Sequence, residues 1–157
     1  ATPRLPPLAA SPQTLAMGTR RKAREAALQM LFQWEAGKDA PAQVEASYWE
    51  GVKADQTTRN FANQLFEGTV AALAEIDPLL CTHSEHWRLE RMAAVDRNLL
   101  RLAVYELQAY PQTPRPVIIN EALEIARKYS GPDAVEFVNG VLDAIRRTLE
   151  TRTTGQQ

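Results

Sequence analysis

Apolar residues along this chain recur at helical spacing and nowhere alternate. Between Arg20 and Glu35, the residues Ala23, Ala26, Ala27, Met30, Leu31 and Trp34 fall on one apolar face, which predicts a first helix. Gly37 is its expected end, and Arg20, Arg21 and Arg24 lie off the apolar face. Pro41 is placed to open a short second helix through Val44, Tyr48 and Trp49 to Gly51. A third helix is expected with Thr57 or Thr58 as its cap and Phe61, Leu65, Phe66, Thr69, Val70 and Leu73 turned inward. Asp77-Pro78 reads as a cap followed by a first-turn proline, so a short fourth helix is expected from there, with a seam in the chain near residue 77.

The stretch Leu89 to Tyr110 is apolar around most of a helical circumference, which predicts a central helix with neighbours on several sides. Pro111 ends it, and Pro114 and Pro116 hold the connection extended. Two more helices follow, about Val117 to Tyr129 and about Ala134 to Leu149, separated by Ser130-Gly131-Pro132-Asp133. The expected whole is all-α, with about seven helices over residues 20–150, a flexible Pro-rich arm at 1–19 and a frayed polar tail at 151–157. Met17 is a possible alternative start within that arm.

Charge changes this picture. Residues 1–24 hold five Lys/Arg and no acid, while the remainder holds thirteen basic and nineteen acidic residues, so a net charge of −1 hides a basic end on an acidic body. Arg20, Arg21, Lys22 and Arg24 crowd the mouth of the first helix, a surface suited to phosphates. The alternative is an ordinary solvated helix start. Arg24 follows Arg20 and Arg21 by about one turn, so three guanidinium groups are expected to form a stripe. Three or four phosphate contacts give a log–log salt slope of roughly −2 to −3, which means weak binding by this chain alone and tighter binding with a partner.

Other candidates have plainer readings. One cysteine, Cys81, allows no intrachain disulfide and fits a reducing, cytoplasmic setting. No apolar stretch is long enough for a membrane span. Cys81, His83 and His86 lack the spacing and fourth ligand of a zinc site and are expected at the surface; no metal or cofactor is expected. Phe61, Phe66, Trp34, Tyr48 and Trp49 are expected to pack rather than stack on bases. Asn120 and Asn139 are expected to be buried or capping, and Asp133 to cap the last helix. No phosphate loop, nucleophile elbow or His–acid–nucleophile set is present, so a non-enzymatic protein is expected.

Three segments together resemble the NusB family of bacterial transcription antitermination factors: Arg20 to Trp34; Val95-Asp96-Arg97-Asn98-Leu99-Leu100-Arg101-Leu102-Ala103-Val104-Tyr105-Glu106-Leu107; and Val117 to Tyr129 followed by Phe137-Val138-Asn139-Gly140-Val141-Leu142-Asp143. The resemblance extends from about Arg20 to Leu149 and is loosest between Gly37 and Asp77. It implies two small helical bundles packed together. It also implies binding of boxA-like single-stranded RNA with the ribosomal protein NusE, in support of RNA polymerase on ribosomal RNA operons. Arg20, Arg21, Lys22 and Arg24 occupy the family's arginine-rich motif, with Lys22 where arginine is common. Phe32 stands where a tyrosine is frequent, and Asp133 and Phe137 match positions beside the RNA. Glu90, Asp96 and Arg101 match positions facing NusE, and the acidic body suits docking to a basic protein. Two rival readings remain. One is the NusB-like domain of a ribosomal RNA cytosine methyltransferase. The other is a protein-interaction bundle without RNA, such as a homodimer, since some members of the family self-associate.

Overall fold

The computed structural model describes residues 15–84 and 89–155 of the chain. Seven α-helices lie among the described residues: α1 (Leu15–Gly37), α2 (Pro41–Gly51), α3 (Gln56–Ala71), α4 (Leu73–His83), α5 (Ala94–Ala109), α6 (Arg115–Tyr129) and α7 (Pro132–Gly155), with a 3-10 turn at Leu89–Arg91. The chain divides into two compact units after Ala71, a few residues before the seam expected at residue 77. No helix among the described residues is long and apolar enough to cross a membrane.

In the first unit α1 packs against α3 and α2. Every residue from Ala23 to Leu31 is buried, so this helix is apolar-faced only in part and also carries Arg24, Glu25 and Gln29 inside. Tyr48 on α2 is 2% exposed and donates its hydroxyl to Gln29 Oε1 at 2.9 Å, which satisfies a group the burial of α1 would otherwise strand. Phe66, Leu65 and Ala62 on α3 complete the core, so Phe66 and Tyr48 pack as expected. Helix α1 starts five residues earlier than expected, inside the stretch read as a flexible arm; residues 1–14 lie outside the described residues. At its other end Gly37 stays helical and Lys38 takes the left-handed conformation (φ 59°), its N–H bonding Trp34 O at 2.8 Å. Helix α2 runs from Pro41 to Gly51, as the pattern indicated. The cap of α3 is Asp55 rather than Thr57 or Thr58: its carboxylate Oδ1 accepts the Thr58 N–H at 2.8 Å, because the helix begins two or three residues sooner, at Gln56.

In the second unit α5 packs against α4, α6 and α7, the central place its all-round apolar character predicts. Helix α4 begins at Leu73, with the N–H groups of Glu75 and Ile76 bonding Ala72 O, so Pro78 sits inside it. Asp77 is thus no cap. Its carboxylate takes a bidentate pair from Arg101 on α5, Nε to Oδ1 and Nη2 to Oδ2, each 2.9 Å. Gly131, with φ of 107°, ends α6 through its N–H to Ala126 O and lets α7 follow at once from Pro132. Asp133 therefore lies in the first turn of α7 rather than at its cap, where its charge still meets the positive helix end. Helix α7 continues to Gly155 through the residues expected to fray. Asn120 and Asn139 are exposed on α6 and α7, not buried, since the polar face of each helix turns them outward.

Two outcomes follow from these contacts. Asp77→Asn removes the charge opposite a guanidinium whose side chain is only 11% exposed, so urea unfolding is expected to show a loss of about 2 kcal/mol. The double replacement Asp77→Leu with Arg101→Met is expected to recover most of it. In the first unit, burial, a hydrogen bond shared with Glu67 and the charge of Glu67 raise the Glu45 carboxyl to about 8. The folded chain then keeps a proton that the unfolded chain releases near the ordinary glutamate value. That stabilisation is complete below this ordinary value and is lost as pH rises to about 8. Glu45→Gln is expected to raise the thermal midpoint above pH 8 and to leave it unchanged at low pH, a difference of no more than about 1 kcal/mol given the exposure of the site.

Candidate nucleic-acid interface

The cationic cluster begins where α1 emerges from its buried stretch. Arg20 is exposed, and Arg21 and Lys22 are half-buried. Arg24 is different. It is 4% exposed, with its guanidinium carbon 5.8 Å from the centre of the Phe61 ring on α3. The expected stripe of three outward guanidinium groups is therefore corrected: one turn into the helix, packing against α3 draws Arg24 inside. Lys22 lines a small cleft with Gln29, Tyr48, Trp49, Ala54 and Thr58. The Asp55 carboxyl lies below its ordinary range, first through the N–H of Thr58, then its hydroxyl, with a smaller contribution from the charge of Lys22.

Phe32 is half-buried on α1, eleven positions and three turns past Arg21, about 16 Å along the helix axis. The two share a line along the helix, but Glu25 and Leu28 between them are buried, so the exposed cations and Phe32 are separate patches. Asp133 and Phe137 stand one turn apart on the first turns of α7 in the second unit, Asp133 exposed and Phe137 half-buried.

The residues expected to face a protein partner are spread over the second unit. Glu90 is exposed on the 3-10 turn. Asp96 lies in the first turn of α5 and accepts the Ser130 hydroxyl at 2.6 Å. Arg101 is 9% exposed and engaged by Asp77 and by Asn98 Oδ1 at 3.1 Å, which makes it an internal strut between α4 and α5. The Ser130–Asp96 tie was not legible in the sequence, where 34 positions separate the two. His83 meets Thr148 Oγ1 at 3.2 Å, Cys81 is exposed, and no group of three or more ligating side chains gathers among the described residues; His86 lies outside them.

These features define an all-helical protein whose leading helix carries exposed Arg20 and half-buried Arg21 and Lys22 just ahead of an enclosed stretch, Ala23 to Leu31. The chain belongs to the NusB family, whose model matches residues 21–147. It is 52% identical over 138 residues to the transcription antitermination protein NusB of Koribacter versatilis, across 87% of this chain and 94% of that relative. A structure of T. maritima NusB superposes with a TM-score of 0.73 at 38% identity, covering 82% of this chain and 90% of that one. A crystal structure of the antitermination factors NusB and NusE in complex with double-stranded RNA superposes with a TM-score of 0.76 at 28% identity, over 84% of this chain and 98% of its match.

Arg24 and Arg20 are expected to separate in stability. Arg24→Ala uncovers Phe61 and leaves a gap, for a loss of about 1–2 kcal/mol in urea unfolding, whereas Arg20→Ala stays within about 0.5 kcal/mol of the wild type.

Proposed function

We propose that this chain is a non-enzymatic transcription antitermination factor of the cytoplasm. It binds boxA-like single-stranded RNA together with NusE and supports transcription of ribosomal RNA by RNA polymerase. The reading is carried by family membership over residues 21–147 combined with exposed cations at the start of α1. It is supported by the likeness to a NusB–NusE complex that holds RNA. The 52% identity to a curated antitermination relative favours it over a domain of a ribosomal RNA methyltransferase.

Arg20, Arg21 and Lys22 contact phosphates and Phe32 offers a ring face to an unstacked base; in the second unit Phe137 offers another, with Asp133 one turn before it on α7. Arg24 supports the motif from inside, by fixing α1 on α3. Glu90 and Asp96 present negative charge to basic NusE, while Arg101 holds the helix that carries Asp96.

The test is a titration of a boxA-like strand and a scrambled strand, with and without NusE, at several salt concentrations. With Arg24 inside, three cations remain, and the expected log–log slope for the chain alone is about −2. Arg20→Ala and Arg21→Ala are each expected to weaken binding several-fold and to flatten the slope by about 0.7. Wild-type affinity in both variants would overturn the assignment of this surface.

A further inference from the structure

We propose that the RNA surface of the first unit continues from the arginine cluster onto a fixed Arg59–Trp49 stack, which takes one further nucleotide of the strand. This rests on the reading that the α1 cations hold RNA. Trp49 lies in the last turn of α2 and Arg59 in the first turn of α3, with the guanidinium carbon 5.4 Å from the centre of the indole. Both groups are pinned. Arg59 Nε donates to Ala54 O at 3.0 Å, and Trp49 Nε1 donates to Asn63 Oδ1 at 2.9 Å. Tyr48 meets the indole edge-on, with centroids 4.8 Å apart.

Among the described residues, the two terminal nitrogens of Arg59 have no hydrogen-bond partner. Arg59 is half-buried, so part of it remains open to solvent. A guanidinium plane held this way accepts a base on its face and a phosphate at its edge. The stack is continuous with the cluster through Lys22, the residue after Arg21, which lines the same cleft as Trp49. Lys53, exposed in the α2–α3 loop, adds a second cation. Three acids border the path, and Glu25 is buried where it lines the cleft. Glu50 is exposed on the last turn of α2, and Asp55 is committed to the α3 cap. The cleft itself is narrow and lined by buried Gln29 and Tyr48, so the nucleotide lies over the stack rather than in the cleft.

The experiment compares a short boxA-like strand with the same strand lengthened by about four nucleotides at each end in turn, with NusE present. One lengthened strand is expected to bind the wild type about five- to tenfold more tightly than the short one, with a salt slope steeper by about 0.7. Arg59→Gln is expected to abolish that gain while the short strand binds as before. Arg59→Lys is expected to keep the steeper slope but lose part of the affinity gain. If Arg59→Gln leaves both strands as in the wild type while Arg21→Ala weakens both, the extension is wrong and the parent reading stands. If Arg21→Ala changes neither, the parent reading fails. If Arg59→Gln weakens both strands equally and lowers the thermal midpoint, the stack serves packing only and the extension is overturned.

Discussion

The enclosure of α1 is the constraint on which the rest depends. Nine consecutive residues, Ala23 to Leu31, are buried, and a helix so placed cannot confine its polar groups to a solvent face. Its neighbours must supply partners for them. Tyr48 does so for Gln29, and Phe61 supplies a ring face for Arg24. Those demands position α2 and α3 around the first helix. The position of α1 in turn sets which cations of one short basic run reach solvent.

That sorting gives the basic run two uses. Arg20 remains exposed, and Arg21 and Lys22 remain half-buried. Arg24 spends its long aliphatic stem and planar head on packing. A guanidinium suits this use, because it is weakly hydrated and lies flat on an aromatic ring. The same pairing recurs nearby in Arg59 and Trp49, half-buried rather than enclosed, so the geometry that closes the core at one point offers a surface at another.

The second unit is organised by a comparable internal charge. Arg101 on the central helix α5 grips Asp77 on α4 from a nearly buried position. Proline inside α4 forfeits one backbone hydrogen bond, yet the helix holds its course past Pro78 because Asp77 just before it is anchored from outside the helix. Asp96, in the first turn of the same helix, is tied to the α6–α7 turn through Ser130.

Helix count, the central place of α5, the span of α2 and the basic character of the chain start were legible in the sequence, because each follows from periodicity, proline placement or charge. The family was legible for a different reason: the strings around Ile119, Phe137 and the Arg20 to Trp34 segment are specific in combination. Boundaries were less legible. Thr57 and Thr58 read as caps, and only the path of the backbone decides that the Asp55 carboxylate meets the Thr58 N–H instead. Asp77 reads as a cap until Arg101, 24 positions away, claims it. Arg24 is indistinguishable from Arg20 by pattern, since both are cations off the apolar face of an isolated helix. Which one is buried depends on where α3 crosses α1. That is a tertiary fact, because burial is imposed by the neighbour and not by the residue itself.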